Sequence, residues 1–448
     1  MRPRSLIIPI LILIGVCLLG VVVYNLPPVN ARLAWRVEAL RAEIKYRLNP
    51  PEEAVFVPQQ VVDATLPPTP APSPTPLPPT PTSTDPAATP EPSLTPTPTA
   101  TLLPDSVILE GVVYVDQHGR WNYCGPANLT MALKFWGWSG DRDDVAAVVK
   151  PGINDPNLDF IQRGKLDKNV MPYELANFVT DYTDYHIVVR YGGDTDLVKR
   201  MIASGFPVLV EKGYYEADYT GKIGWMGHYL FTTGYDEAKG EFIVQDAYLK
   251  PGKDMRVDYQ TYLDGWRGFD YLFMIIYPPE RETEVFELLG PYADSQWANQ
   301  RALQIAEEEI QTQSGIDEFF AWFNKGTSHV NLLQYDEAAL AYDKAFSLYA
   351  RLGGDDTQRP YRIMWYQTGP YWAYFYTGRY QDTINLANTT LYDTIAEPTL
   401  EESLYWRGQA YLALGQTADA IADFREAVRL NPNFAPGLNM LSQLGVNP

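Results

Sequence analysis

The chain has 448 residues, 46% of them hydrophobic and 13% aromatic, enough apolar material for two or three separately buried cores. Its formal net charge of −20 excludes nucleic acid and anionic membrane surfaces as the main partner. Of its two cysteines, Cys17 lies in an apolar N-terminal run, so everything beyond that run carries a single thiol, Cys124, with no intramolecular disulfide partner.

Residues 6–24 are almost wholly apolar and follow Arg2 and Arg4. Roughly 19 residues rising 1.5 Å each reach about 28 Å, the thickness of a bilayer core, which predicts an uncleaved anchor over residues 1–25. A cleaved signal peptide would need a small-x-small site before Asn25, and a lipoprotein a small residue where Val16 precedes Cys17. Arg32, Arg36 and Arg41 pull against an N-inside orientation; the export-like character of the linker and large domain beyond them favours a single-pass cell-membrane protein with its bulk outside the cytoplasm. A juxtamembrane segment, 26–64, includes helical periodicity in Leu33, Val37, Leu40, Ile44 and Leu48. Residues 65–105 are little but Pro, Thr, Ser and Ala, the composition of a disordered, polyproline-II-like tether that at about 3.1 Å per residue could reach about 120 Å.

A folded domain is expected over 106–284. Its predicted elements are a strand at 107–115, helices at 126–136, 172–180 and 196–203, and strands at 187–191, 207–211, 228–235, 241–245 and 271–277. Helices followed by antiparallel strands make it α+β. The glycine- and aromatic-containing segment 216–226 before His228 is predicted as a plain loop, with shaping of a substrate cleft as the alternative. From 285 to 448 the pattern is helical and repetitive. Gly408, Tyr411, Gly415, Ala420, Phe424, Ala427 and Pro432 have the spacing of two closely packed antiparallel helices, and they resemble the tetratricopeptide repeat. Trp322, Gly326, Ala338, Tyr342 and Ala345 form an earlier unit; a middle one keeps Tyr374 and Gly378 but has Thr383 and Thr390 at small-residue positions. About three degenerate repeats would stack as an all-α solenoid that docks a protein or peptide. The aromatics Tyr371, Trp372, Tyr374, Phe375 and Tyr376 are expected to pack rather than bind.

Cys124 precedes Gly125-Pro126-Ala127, and Pro126 suits a first helical turn. At a helix N-terminus the unsatisfied N–H groups and the macrodipole favour a thiolate; a small buried hydrophobe is the competing reading. His228 opens the predicted strand 228–235 and Asp246 follows the strand 241–245, so in an antiparallel hairpin they should be level to within a residue or two. A carboxylate so placed fixes the imidazole tautomer, although an ordinary cross-strand pair reads the same way. Gln117 could join the Cys124 main-chain N–H in polarising a carbonyl oxygen. His118 is a second candidate base with no carboxylate evidently opposite. Asp141, Asp143 and Asp144 lack calcium-loop spacing and read as a solvated turn or helix start, and no histidine pair has metal-site spacing, so neither metal nor cofactor is expected.

Gln117, then Cys124-Gly125-Pro126-Ala127, then Gly227-His228-Tyr229, then Gln245-Asp246-Ala247 resembles the papain-like cysteine peptidases of the bacteriocin-processing, double-glycine-leader type. Glu211 after Phe206-Pro207-Val208-Leu209-Val210 also resembles the strand before their histidine. The resemblance implies Cys124 as nucleophile, His228 as general base and acid, Asp246 as its orienter and Gln117 as oxyanion donor. The transporter core that comes next in bacteriocin-processing members is missing here, so the double-glycine specificity is not carried over. The expected activity is peptide hydrolysis, with the repeats docking a protein substrate or partner. A transglutaminase-like acyl transfer and a catalytically silent peptide-binding scaffold are the alternatives.

Overall fold

The computed structural model describes residues 15, 29, 56–59, 103–152, 167–217, 223–352, 359–360, 362–393 and 400–448. The expected anchor and amphipathic helix, and nearly all of the Pro/Thr-rich stretch, lie outside these residues. Among the described residues no helix is long and apolar enough to cross a membrane. Contacts divide the chain into two units, residues 1–58 with 104–448, and 59–103.

In the larger unit, α1 (Cys124–Phe135), α2 (Arg142–Val149) and α3 (Pro172–Tyr182) precede most of a mixed sheet-and-helix layer. The sheet contains β1 (Ser106–Ile108), β2 (His186–Arg190), β3 (Val208–Ala217), β4 (Ile223–Asp236), β5 (Glu241–Gln245), β6 (Met255–Asp258) and β7 (Phe273–Tyr277). All pairings are antiparallel in the order β2-β7-β3-β4-β5-β6, with β1 on the free flank of β4. Helices α4 (Thr195–Ala203) and α5 (Tyr259–Arg267) complete the layer. Alternation along β3 and β4 divides two cores between the sheet faces. Leu209, Tyr229 and Phe231 pack with Leu129 and Leu133 of α1, whereas Val208, Val210 and Leu230 pack with Val198 and Met201 of α4.

Four departures from the sequence expectation have local causes. The first strand stops at Ile108 instead of 115, because Ile108 pairs with Gly234 while Val208 of β3 already pairs with Thr232; a longer β1 would collide with β3. The last strand begins at Phe273 instead of 271, since Asp270 and Tyr271 take left-handed backbone angles (φ 52° and 54°) that no strand accommodates. The segment 216–226 is not simply a loop: residues to 217 and from 223 extend β3 and β4 as a paired arm. Trp225 drives this, stacking on Phe269 at 5.4 Å and meeting Phe320 at 5.5 Å and Tyr366 at 5.7 Å. His228 therefore lies within β4 rather than opening it.

The C-terminal part is helical: α6 (Glu282–Leu289), α7 (Ser295–Thr312), then the pairs α8 (Ile316–Asn331) with α9 (Tyr335–Arg351), α10 (Gly369–Tyr376) with α11 (Tyr380–Asn388), and α12 (Glu401–Ala413) with α13 (Thr417–Leu430), closed by α14 (Ala435–Gln443). The glycines allow the close helix approach. A Cβ on Gly326 would meet the Tyr342 ring at 2.6 Å, and one on Gly408 the Phe424 ring at 2.7 Å. In the middle pair the Thr383 and Thr390 hydroxyls donate to the Arg379 and Leu386 carbonyls within their own helix, so the polar group stays satisfied when buried. Tyr371 and Tyr374 are fully buried as expected, whereas Trp372 is 38% exposed.

The repeats bind the sheet-and-helix layer through polar contacts as well as Trp225. Lys168 is buried between Glu174 of α3 and Glu401 of α12. Tyr173 donates to Glu402 at 2.7 Å, Ser328 to Asp270 at 2.8 Å, and Asn324 to the Arg267 carbonyl at 2.7 Å. Phe56 and Pro58 are also buried, and the Phe56 ring meets Phe346 at 5.0 Å and Tyr374 at 6.0 Å within the repeat core.

Candidate active site

Cys124 is the first residue of α1, and no side chain caps that helix. Its first-turn N–H groups therefore remain available to an anion near the thiol. The turn before it is held from below by Lys150. This buried ammonium donates to the carbonyls of Trp121 (2.8 Å) and Asn122 (3.0 Å), reaches the Lys168 carbonyl at 3.3 Å and pairs with Asp167 at 2.8 Å. Asn122 takes a left-handed conformation (φ 46°), which asparagine tolerates better than most side chains. Asn128, one turn after Cys124 and fully buried, donates through Nδ2 to the Cys124 carbonyl at 2.9 Å and to the Tyr229 carbonyl at 3.0 Å. It thereby ties the start of α1 to the residue next to His228.

Gln245 faces Phe231, so Asp246, one residue on, is level with Leu230 and two positions from His228. Diagonal neighbours on one sheet face are within reach of long side chains. The His228 Nε2 lies 2.8 Å from Asp246 Oδ1, and both residues are buried. The same oxygen accepts the main-chain N–H groups of Tyr248 (2.9 Å) and Leu249 (2.8 Å), which aim the carboxylate at the ring. With Nε2 engaged, Nδ1 is the ring nitrogen left for the hydrogen bond between His228 and the Cys124 thiol. Lys212, the cross-strand partner of His228, brings its Nζ to 3.9 Å from Asp246 Oδ2.

The electrostatics favour a thiolate–imidazolium pair. Burial raises the Cys124 thiol, but the hydrogen bond and charge of His228, the Tyr229 main chain and the Lys150 charge outweigh it and hold the thiol below its ordinary value. Burial pulls His228 down, yet the charge and hydrogen bond of Asp246, aided by Cys124, push it up to about 9. Burial likewise raises Asp246, and the His228 charge and hydrogen bond, the Lys212 charge and the Leu249 N–H together hold it well below the usual carboxylate range.

Gln117 is mostly buried, and its main-chain N–H donates to the Ala247 carbonyl at 2.9 Å. The segment carrying it is thus fastened beside Asp246, and its Oε1 has no hydrogen-bond partner among the described residues. His118 does have a carboxylate partner, contrary to expectation. Its Nδ1 is 2.9 Å from Asp116 Oδ1, because both side chains leave the same tight turn, and the pair is exposed and stacks on Tyr248. Asp141 caps α2, accepting from the Asp143 and Asp144 N–H groups while Asp144 accepts from the Asp141 N–H, so the acidic run is a helix start.

Three site residues escaped the sequence reading. Asn128 left a signal, a polar residue four after Cys124 on an otherwise apolar helix. Lys212 left a fainter one as a lone cation following the apolar 206–210. Lys150 left none, since its partners lie 28 and 29 residues away and in the segment at 167–168.

Residues 109–273 match the Peptidase_C39 like family, and residues 401–434 match the tetratricopeptide repeat family. These parts of the chain are a C39-like cysteine peptidase domain and a tetratricopeptide repeat. No curated protein matches the chain. Among solved structures, a C39-like peptidase from Bacillus anthracis is 17% identical, over 38% of this chain and 96% of its own, at a TM-score of 0.30. Xylellain, a cysteine protease from Xylella fastidiosa, is 18% identical over 39% of this chain and 87% of its own, at a TM-score of 0.27.

Proposed function

We propose that the chain is a membrane-anchored, extracytoplasmic peptidase that hydrolyses peptide bonds through Cys124, His228 and Asp246, with Gln117 as oxyanion donor and the repeats docking a protein substrate or partner. The observation that carries this reading is the buried His228–Asp246 contact at 2.8 Å, which leaves the other ring nitrogen to Cys124. The Cys124 thiolate attacks the amide carbonyl; the developing oxyanion is met by the Cys124 main-chain N–H and the Gln117 amide. The His228 imidazolium gives its proton to the leaving amine, and a thioacyl enzyme remains. Neutral His228 then takes a proton from water, whose attack releases the acid and restores the thiolate. Asp246 holds the ring and stabilises its charge at both stages.

The proposed organisation is an anchor at 1–25, a juxtamembrane segment at 26–64, a linker at 65–105, the peptidase at 106–284 and the repeats at 285–448. Iodoacetamide at about pH 6 tests the nucleophile, since an ordinary thiol is almost wholly protonated there. Cys124 in the full chain should be alkylated much faster than a free thiol, and His228→Ala should abolish the difference. Alkylation at the free-thiol rate in both proteins would sink the reading. Incubation with a peptide mixture, with and without an added primary amine, separates hydrolysis from acyl transfer. Carbonate extraction of membranes, followed by protease treatment of intact cells, tests anchoring and sidedness.

A further inference from the structure

Next to the candidate site lies a cavity of about 540 Å³ between the peptidase domain and the repeats. Its walls come from both, with Tyr173, Tyr191 and Phe269 on one side and Tyr366 and Trp372 on the other. Glu211 lines it and is the one charged residue among the described lining residues. Only 2% of it is exposed, and its Oε2 has no hydrogen-bond partner among the described residues. A buried carboxylate oxygen without a donor is costly, and its residue lines a volume large enough for a long side chain.

The cavity belongs to the catalytic neighbourhood. Glu211 pairs in register with Tyr229, the residue after His228, and the Tyr366 hydroxyl is hydrogen-bonded to the main chain of Gly227, the residue before it. Glu211 and Tyr366 both line the cavity, so its wall adjoins the strand that carries His228.

Resting on the peptidase reading above, we propose that this cavity receives an arginine side chain of the peptide substrate, its guanidinium donating to the Glu211 carboxylate and lying against the aromatic walls. A planar cation stacks on ring faces, donates as a fork and sheds water more readily than an ammonium, which favours arginine over lysine. Burial, followed by the negative charge of Cys124, raises the empty pocket's Glu211 well above the carboxylate range, so arginine entry should release a proton.

The test uses two peptides that differ only in arginine against citrulline, its neutral isostere, and reads binding apart from catalysis. The full chain carrying Cys124→Ala should bind the arginine peptide at least tenfold more tightly. Glu211→Gln in that background should remove the difference by weakening the arginine peptide alone, and Trp372→Ala, a half-exposed position safe for folding, should reduce it. In the enzyme with Cys124 intact, the same preference should appear in kcat/KM. Equal binding of the two peptides, or an equal loss of both in Glu211→Gln, overturns the proposal even if Cys124 alkylates rapidly and peptides are cleaved. Slow alkylation and no cleavage, with the arginine preference in binding intact, would instead overturn the peptidase reading and leave the pocket assignment standing.

Discussion

Asp246→Asn isolates the charge of the carboxylate from its geometry. Asp246 Oδ1 accepts all three short hydrogen bonds, from His228, Tyr248 and Leu249, and an asparagine oxygen can keep them. Among the described residues Oδ2 accepts no hydrogen bond and has only Lys212 Nζ at 3.9 Å, so an NH₂ group in its place displaces no described donor. What disappears is the negative charge that, against the pull of burial and aided by Cys124, lifts His228 from 6.5 to about 9. That rise corresponds to about 3 kcal/mol of preference for the imidazolium, at about 1.36 kcal/mol per pH unit. Without it, burial should carry the ring below its ordinary value and leave it neutral at pH 7. The thiolate then loses its cationic neighbour. A thiol of ordinary pKa, about 8.5, is only about 0.3% ionised at pH 6. The assay is the rate of Cys124 alkylation between pH 5 and 10. The wild-type rate should stay high from the lowered thiol pKa to about 9, where loss of the His228 proton dissolves the pair. In Asp246→Asn the rate at pH 6 should fall at least tenfold and climb only near the ordinary thiol range. An unchanged profile, with the fold intact by circular dichroism, would refute the assignment of Asp246 as the group that charges His228.

The same geometry has other measurable outcomes. Because the folded-state pKa of His228 is raised, its contribution to stability is fully present below about 6.5 and lost as pH rises through about 9; denaturant unfolding should report a decline of up to about 3 kcal/mol across that window, and His228→Ala should abolish it. Asn128→Ala removes two buried hydrogen bonds and leaves the Tyr229 carbonyl short of a donor, so a loss of about 1–3 kcal/mol is expected together with slower alkylation at pH 6. Gly227→Ala would put a Cβ at 2.6 Å from both the Phe269 and Tyr366 rings, and should cost about 1–3 kcal/mol in thermal unfolding and lower peptide cleavage, because the strain falls beside His228.

The closeness of His228 to Asp246 was legible because both sit in short local signatures, a strand and the end of a hairpin, and Cys124 stood out at a helix start; Gln117 has no signature of its own. The repeats were readable for a similar reason, since small residues at Gly326 and Gly408 face one aromatic each within a single helix pair. What escaped depends on contacts distant in sequence. The end of β1 is set by β3, which reaches the same flank of β4 about a hundred residues later. The arm at 223–226 is ordered by Phe320 and Tyr366 of the repeats, and no local pattern announces them. Lys150 supports the turn before Cys124 from a different helix terminus, and a lone lysine at a helix end carries no sequence signal. His118 shows the opposite failure: its partner was two residues away, drawn in because the Asp116 carboxylate also accepts the His118 main-chain N–H at 2.6 Å.

Phe56, seated between Phe346 and Tyr374, changes what the proline-rich stretch can do. The chain leaves the larger unit after Pro58 and rejoins it at Pro104, so the intervening residues begin and end on one body. The length of chain between the proposed anchor, 1–25, and the folded body is therefore set by the residues before Phe56, and the proline-rich stretch adds nothing to it.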